Sequence, residues 1–285
     1  MIHPITPNCF ANHLGYWLAK PEWVAAALAH IKAGTWVAHR EDQFNEGSGF
    51  QRTSDGIAVV GIQGPMMKGA SKFGGASTVE TRLALREAAA DPDIRGILMA
   101  IDSPGGHVAG TQQLADEVKR VDAVKPVHAH IEDMGASAAL WVASQARHVT
   151  ANRTAEVGSI GVLAALEDSS EQAKAEGVTV HVISTGEFKG MGMPGAPVTK
   201  AHVAHASDLA HAIFGHFQGA VQAGRNMTDA EVAAVSDGRT WLAEEALSLK
   251  LIDGVGGLDE AAAGFGRRRR AARARAAFNK NRFMS

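Results

Sequence analysis

The sequence predicts an α/β fold in which helices pack against a largely parallel sheet. Short apolar runs rich in β-branched residues recur through the middle of the chain, and such runs are typical of buried strands. Between these runs lie longer stretches whose apolar residues follow helical spacing. This alternation of strands and helices is the order expected of parallel α/β layers.

The predicted elements follow one another along the chain. Ser77 and Thr78 precede Glu80 with the spacing of a capping box, so a helix is expected to begin there. Thr228 and Glu231 have the same relation at a later helix. The predicted strands cover residues 57–62, 97–101, 127–131, 146–151, 159–163 and 178–183. The predicted helices cover residues 77–90, 108–121, 166–176, 199–225, a segment from 228, and 244–249.

Three regions of different composition divide the 285 residues. Residues 1–54 contain several prolines and end in a polar, Gly-rich stretch, so we interpret them as an N-terminal extension and linker. Within this extension a short helix is expected from Pro21 to about Lys32. Residues 55–259 carry the strand–helix alternation and form the predicted main domain. Residues 260–285 are rich in Ala and Arg, and we expect this basic tail to be disordered.

Charge and cysteine content narrow the class of protein. Eight of the 28 Lys and Arg side chains follow residue 266, which leaves 20 basic against 30 acidic side chains in the rest of the chain. An acidic body is not expected to bind nucleic acid, except through the basic tail. Cys9 is the single cysteine, which excludes a disulfide within the chain. We find no signal peptide and no apolar run long enough to span a bilayer, and therefore expect a cytoplasmic protein without membrane association.

A single hydroxyl among small side chains is the first candidate for catalysis. Ser137 lies in the segment Gly-Ala-Ser-Ala-Ala at residues 135–139, between a predicted strand and an apolar helical run. Small neighbours let another backbone approach the hydroxyl closely. The free N–H groups at the start of a helix favour developing negative charge. An acyl-transfer nucleophile needs both properties.

A second loop is expected at the same edge of the sheet, because the carboxyl ends of parallel strands collect there. Its sequence is Asp-Ser-Pro-Gly-Gly, at residues 102–106. The proline fixes φ, and the glycine N–H groups have no side chain in front of them. One such N–H, together with the N–H that follows Ser137, would form an oxyanion hole. An ordinary turn is the other interpretation of this loop.

The Ser137 hydroxyl needs a general base, and the residues alone leave two kinds open. The chain has 13 histidines, including His148, eleven residues after Ser137, and His128 and His130 on the preceding predicted strand. Each of these is also explained as a packed or solvated histidine. Lys189, just after a predicted strand, is the alternative. A lysine acts as a base only when its amine is neutral, which requires an apolar environment.

Taken together, these segments resemble peptidase family S49, which includes signal peptide peptidase A and phage capsid-maturation proteases. Five motifs stand in the order in which the family has them and cover about residues 56–259. The separation of 52 residues between Ser137 and Lys189 also resembles the family's serine-to-lysine spacing. The motifs are Asp-Ser-Pro-Gly-Gly at 102–106, Gly-Ala-Ser-Ala-Ala at 135–139, Gly-Ser-Ile-Gly-Val at 158–162, Gly-Glu-Phe-Lys at 186–189, and Gly-Arg-Thr-Trp at 238–241 through Leu-Ile-Asp-Gly at 251–254.

The resemblance implies a ClpP/crotonase-type fold of stacked ββα units with a helical C-terminal part, and it makes residues 55–259 a peptidase domain. It implies a Ser-Lys variant of the catalytic triad, with no metal and no cofactor. The residues that it assigns are Ser137 as the nucleophile, Lys189 as the general base, Gly106 and Ala138 as oxyanion-hole donors, and Gly105 and Ser159 as supporting residues.

The resemblance also implies partners. The substrate would be a polypeptide bound in extended form, and family members form ring- or dome-shaped homo-oligomers in which a neighbouring protomer can complete the dyad. Cellular members usually have an N-terminal membrane anchor, so its absence favours the phage branch, which cleaves capsid, portal or scaffold proteins inside a prohead. Residues 138–141 are Ala-Ala-Leu-Trp where many cellular members have Gly-Gly-Tyr-Tyr, so the cleavage preference is not carried over.

Four alternatives stay open at this point. Within the family, the chain could be a cytoplasmic peptidase that degrades signal peptides or peptides in general. A ClpP-like Ser-His-Asp enzyme would place a histidine in residues 158–165, which contain none. A crotonase-like acyl-CoA enzyme would have no use for a serine and lysine pair. A catalytically silent scaffold or capsid-assembly subunit would keep the fold without hydrolysis.

Overall fold

The computed structural model describes residues 16–22, 24, 25, 29, 49–69 and 75–265. The predicted helix that begins at Pro21 lies largely outside the described residues, and so does the tail after residue 265. The strands are β1 (Trp17–Ala19), β2 (Gln51–Arg52), β3 (Ile57–Gln63), β4 (Met66–Met67), β5 (Ala76–Ser77), β6 (Gly96–Ser103), β7 (Gly105–His107), β8 (Val127–Ala136), β9 (His148–Ala151), β10 (Glu156–Gly158), β11 (Thr240–Leu242) and β12 (Gly254–Val255). The helices are α1 (Thr78–Ala90), α2 (Thr111–Val124), α3 (Ala138–Ala143), α4 (Ser170–Ala175), α5 (Lys200–Arg225), α6 (Asp229–Ala234) and α7 (Ala243–Ser248).

The larger sheet confirms the predicted α/β class. Its strand order is β11-β10-β8-β6-β3-β2, and β9 pairs with the first half of β8 while β12 pairs with β9. Strands β3, β6, β8 and β10 run parallel. β6 and most of β8 are buried, as expected for parallel strands that are covered on both faces. Helix α1 contacts β3 and β6, and α2 contacts β8.

A smaller sheet grows from the carboxyl end of the larger one. Its order is β1-β7-β4-β5, and β7 is separated from β6 by Pro104 alone. β7 pairs parallel with β4 and antiparallel with β1. Strand β1 belongs to the predicted N-terminal extension, so part of that extension is built into this sheet.

Local sequence signals set where the helices begin. Ser77 Oγ accepts a hydrogen bond from the Glu80 N–H at 3.2 Å, and Thr228 and Glu231 form the expected reciprocal capping box. Helix α3 is different, because all six of its residues are apolar and all are buried. This helix holds the residue before it, Ser137, against the core.

Three predicted elements differ from the structure. The strand predicted over 178–183 is wrong: these residues form no strand, and Ile183 is 97% exposed. Their β-branched residues favour a strand, but among the described residues no neighbouring strand pairs with them, and an unpaired strand is not stable. Over 159–163 a single bridge, from Leu163 to Trp17, replaces the predicted strand. The helix predicted over 166–176 is shortened to Ser170–Ala175.

The described chain ends in a helical segment, residues 258–265, that packs on the larger sheet. The Phe265 ring stacks on His128 of β8 with ring centroids 3.9 Å apart. Residues after 259, the predicted end of the main domain, therefore also pack on this sheet. Among the described residues, no helix is long and apolar enough to cross a membrane.

Glu117 links the two helices that cover the sheet. Its substitution should make the stability of the fold depend less on pH in the acidic range. Its carboxylate is 4% exposed and accepts hydrogen bonds from Arg86 of α1 and Arg120 of α2. The bond to Arg86 is the main reason why the pKa of Glu117 falls from 4.5 to about 2. A carboxyl with a lowered folded-state pKa stabilises the fold above its unfolded pKa, and this contribution is lost as pH falls through the folded pKa.

We therefore expect Glu117→Gln to lower the melting temperature by a few degrees at pH 7. The difference from wild type should shrink as pH falls from about 5 to 2. Thermal melts across this pH range measure it, with Glu87→Gln at an exposed position of α1 as the control. A difference that stays constant with pH would show that the charge of Glu117 is not what links the helices.

Candidate active site

Ser137 occupies the junction between β8 and α3 with an unusual backbone. Its φ of 54° and ψ of −116° lie in a region that residues with a side chain rarely adopt. The conformation is held on both sides: the Ser137 N–H donates to Gly158 O at 2.8 Å, and Ser137 O accepts from the Trp141 N–H at 3.0 Å. Strain that the surroundings impose in this way is typical of functional residues.

The Ser137 side chain is buried, but its hydroxyl forms no hydrogen bond with the described residues. It is 1% exposed, and its Oγ has no hydrogen-bond partner among the described residues. A buried hydroxyl without a partner costs folding free energy, and native proteins retain few of them. The Ser137 hydroxyl therefore adds no hydrogen bond to the stability of the described part of the chain.

The neighbours of Ser137 are small because the backbone packs tightly around it. A methyl group on Gly135 would lie 2.5 Å from Ile131 Cδ1. A methyl group on Gly105, whose φ is +98°, would lie 2.9 Å from Ser137 Cβ and 2.0 Å from Leu18 O. The structure thus brings the two predicted glycine loops together at the serine.

The predicted oxyanion-hole donors are placed on the two elements that meet at Ser137. Ala138 is the first residue of α3, and Gly106 lies in the middle of β7. The Gly105 N–H is already engaged, because it donates to Ser103 Oγ at 3.2 Å inside the core. Gly106 and Ala138 stay the predicted pair of donors, although Gly106 is itself paired with Leu18 of β1 and Met66 of β4.

Ser159 lies beside the serine in a second strained turn. Its φ is +55°, and the preceding Gly158 is the residue whose carbonyl accepts the Ser137 N–H. The Ser159 N–H donates to Arg239 O at 2.7 Å, which ties this turn to the segment before β11. The motifs at 158–162 and 238–241 therefore meet at this turn.

Lys189 is not bonded to Ser137 within this chain. Residues 181–189 are all exposed, and the Lys189 N–H donates to Gly186 O in a turn of that segment. Ser137 Oγ has no described partner, so the structure of one chain places no base on the serine. The dyad stays a prediction.

A comparison with known protein families identifies the family of this chain. The family model described as peptidase family S49 matches residues 119–269, which is more than half of the chain. The chain belongs to peptidase family S49. The mixed α/β architecture with a parallel sheet fits the ClpP-like fold of this family.

Three curated S49 relatives illustrate the range of the similarity. Capsid assembly protease C of Escherichia phage lambda is 36% identical over 144 residues, 49% of this chain and 33% of the relative. Protease 4 of Haemophilus influenzae is 26% identical over 212 residues, 72% of this chain and 33% of the relative. The chloroplastic serine protease SPPA of Arabidopsis thaliana is 27% identical over 209 residues, 73% of this chain and 30% of the relative. The chain thus spans about a third of the length of each of these relatives.

The three histidines considered as a general base, His128, His130 and His148, lie away from the serine. His128 and His130 are near the start of β8, and Ser137 follows its end, so the strand alone separates them by roughly 20 Å or more. The His130 Nδ1 atom pairs with Thr150 Oγ1 at 2.9 Å, and burial lowers the pKa of this imidazole. The His148 Nδ1 atom lies 3.4 Å from Asp253 Oδ2. These contacts explain the three histidines as packed residues.

Acidic side chains form a separate group on the strands that lead to the site. Asp102 is the penultimate residue of β6, and Glu132 and Asp133 lie in β8. Burial raises the pKa of both the Asp102 and the Glu132 carboxyls, and the mutual repulsion of the group adds to it. In the described part of the chain, no group of three His, Cys, Asp or Glu side chains is placed to hold a metal ion.

One feature of the candidate site was missed by the sequence analysis: strand β1 covers it. Leu18 and Ala19 pair with Gly106 and Gly105, the glycines of the predicted oxyanion loop. The sequence signal was the short apolar run at residues 16–19, which stands just before Pro21 in a region interpreted as an extension.

Gly106→Ala should disrupt the smaller sheet. The added methyl group would lie 1.9 Å from Met66 O, and a backbone atom cannot move aside as a flexible side chain can. We expect a loss of about 3 kcal/mol or more in the free energy of unfolding, at or beyond the upper end of ordinary overpacking. Chemical denaturation measures this loss. Gly161→Ala is the control, because the nearest atom to its added methyl group would be Gly238 Cα at 3.7 Å, an ordinary contact. Equal stability of the two variants would contradict the close contact of β7 with β4.

Proposed function

We propose that this chain is a serine endopeptidase that hydrolyses peptide bonds with a Ser-Lys dyad. The observation that carries the proposal is Ser137 itself, a buried, unbonded hydroxyl on a strained strand-to-helix junction in a chain of an established peptidase family. Strain and an unsatisfied polar group are both costs to folding. A nucleophile explains why they are retained.

The proposed reaction combines Ser137 with the predicted base and the predicted oxyanion-hole donors. Neutral Lys189 takes the proton of Ser137, and Oγ attacks the carbonyl carbon of the scissile bond. The N–H groups of Gly106 and Ala138 stabilise the oxyanion that forms. Lys189 returns the proton to the leaving amine, and a water molecule then hydrolyses the acyl-enzyme with the same lysine as base.

Lys189 reaches Ser137 from a neighbouring protomer in this proposal. Its segment is exposed and carries large apolar side chains in contact with solvent, among them Val182, Ile183 and Phe188. Exposed apolar groups of this extent are typical of protein interfaces. Burial of the lysine at such an interface would also favour its neutral form. The chain would therefore act as a homo-oligomer, in which each site combines residues of two copies.

The substrate is a polypeptide in extended form. The name of the phage lambda relative describes a protease of capsid assembly, and we propose capsid or scaffold proteins as the substrates here, with the prohead or the cytoplasm as the location. Hydrolysis of signal peptides or of peptides in general is the alternative within the same chemistry.

The separation of Lys189 from Ser137 favours a second candidate function. A catalytically silent scaffold or capsid-assembly subunit would keep the S49 fold and need no base beside the serine. This candidate predicts no hydrolysis at any protein concentration.

Hydrolysis of casein by the full chain decides between the two candidates. The peptidase proposal predicts cleavage whose specific activity rises with protein concentration, because oligomers assemble the site. Treatment with a serine-directed phosphonate should abolish it, whereas a metal chelator should not. Absence of cleavage in fully assembled oligomers would overturn the peptidase and support the scaffold subunit.

A further inference from the structure

Residues 16–20 lie in a slot between two other parts of the chain. On one side the Val108 N–H donates to Tyr16 O, and the Lys20 N–H to Pro104 O, both at 3.1 Å. On the other side Trp17 and Leu163 exchange both backbone hydrogen bonds, at 2.8 and 3.0 Å. An extended segment with partners on both edges binds through its backbone, in the way that peptides bind by strand addition.

The slot lies directly over the catalytic candidates. Leu18 and Ala19 are in register with the two glycines of the oxyanion loop. The position of a Gly105 methyl group lies 2.0 Å from Leu18 O and 2.9 Å from Ser137 Cβ, so these two groups flank the same glycine. Residues 16–20 pack on the glycine loop and α3 follows Ser137 directly, and together they shield Ser137 from solvent.

The side chains of the segment alternate between two environments. Leu18 is fully buried in the main core, whereas Trp17 and Ala19 form a small cluster with Val24 on the other face. At the end of the segment Lys20 Nζ forms an ion pair with Glu156 Oε2 at 2.5 Å. The slot therefore offers one apolar position and, two residues further on, one acidic position.

We infer that residues 16–20 are a resident occupant of the slot between β7 and Leu163, which a polypeptide substrate must displace. That the displacing peptide is a substrate rests on the proposed peptidase function. The binding of a peptide in the slot does not depend on that function. The ligands that fit best are extended peptides with an apolar residue two positions before a basic one. A groove of about 320 Å³, lined in part by Pro21, Gly161 and His211, gives such a peptide room to continue.

A reversible lock on the occupant provides the test. Trp17 and His107 are register partners whose rings meet edge to face with centroids 5.3 Å apart, so the pair Trp17→Cys/His107→Cys is placed to form a disulfide. The variant is made in the full chain with Cys9→Ser, so that no other thiol competes. The control pair Arg52→Cys/Ala58→Cys lies between β2 and β3, away from the slot, and like Trp17/His107 it falls between the hydrogen-bonded pairs of its antiparallel ladder.

The binding readout does not depend on catalysis. All variants also carry Ser137→Ala, and the probe is a fluorescent peptide with the sequence Tyr-Trp-Leu-Ala-Lys-Pro-Glu of residues 16–22. We expect the oxidised Trp17→Cys/His107→Cys protein to bind this probe at least about 10-fold more weakly than its reduced form, about 1.4 kcal/mol. Oxidation of the control pair should leave binding unchanged.

Two further measurements sharpen the result. Lys20→Gln, which removes the ion pair to Glu156, should loosen the occupant and raise the affinity for the probe several-fold. A probe in which the leucine is replaced by aspartate should bind more weakly to every form. Equal binding to the locked and reduced proteins, or no binding to either, would overturn the inference that residues 16–20 are a displaceable occupant of the slot. Binding as expected in a chain that never cleaves casein would overturn only the proposed peptidase function.

Discussion

Ser137→Ala should lower peptide hydrolysis by about 10³-fold or more, because the variant has no oxygen to form the acyl-enzyme. The same change should leave the fold at least as stable as wild type. The Ser137 hydroxyl is buried and has no described partner, so its removal breaks no hydrogen bond and relieves the cost of an unsatisfied group, up to about 1 kcal/mol. Initial rates on casein and chemical denaturation measure the two effects.

Ser144→Ala is the matched control for this prediction. Ser144 is also fully buried and lies at the end of the same helix, but its hydroxyl donates to Trp141 O at 2.7 Å and accepts from Gln145. Its loss should cost about 1–3 kcal/mol of stability and leave the catalytic chemistry in place. A Ser137→Ala protein that keeps wild-type activity, or that is destabilised as much as Ser144→Ala, would contradict the assignment.

Ser137→Gly tests the backbone separately from the hydroxyl. Glycine adopts a φ of 54° and a ψ of −116° without the steric cost that serine has there. The strain of such residues is of order 1–3 kcal/mol, and replacing serine by glycine relieves it. The larger conformational entropy of glycine in the unfolded chain offsets about 1 kcal/mol of this gain in stability. We therefore expect Ser137→Gly to be inactive and more stable than Ser137→Ala.

Lys189→Ala should lower hydrolysis by a similar factor without changing the stability of one chain. The lysine is exposed and its described contact is a backbone hydrogen bond, which alanine keeps. The loss of activity comes from the missing base, without which the serine hydroxyl is a weak nucleophile. Lys200→Ala, at an exposed lysine that begins α5, is the control and should retain full activity.

Mixing the two inactive variants tests where the base comes from. If Lys189 acts on the serine of a neighbouring protomer, oligomers assembled from equal amounts of Ser137→Ala and Lys189→Ala contain sites with both groups intact. Random assembly of a symmetric oligomer would restore about a quarter of the sites. Full inactivity of a mixture that is shown to co-assemble would mean that the dyad is not shared between protomers.

Local signals were sufficient for the parts of the fold that lead to Ser137. The apolar run at 127–131 predicted β8, and the small residues after it predicted a tight junction, because both depend on neighbours close in sequence. The capping signals at Ser77 and Thr228 were reliable for the same reason. The serine and its glycine loop could therefore be located before the structure was known.

Elements that depend on distant partners could not be predicted in this way. Strand β1 exists because residues 17–19 pair with a strand almost ninety residues later, and three residues carry too little pattern to indicate it. The opposite error occurred at residues 178–183, which have strong β-propensity but form no strand. Among the described residues, no strand pairs with them. The same limit applies to Lys189, whose role depends on which surface meets its exposed segment.

The most direct test of the account is the site of reaction with a serine-directed phosphonate. The reagent is incubated with the assembled full chain, and the modified residue is mapped by mass spectrometry of its peptides. The account predicts one adduct per chain, on Ser137, and none in the Lys189→Ala protein. An adduct on another serine, or an actively hydrolysing protein that acquires no adduct, would contradict the claim that Ser137 is the nucleophile.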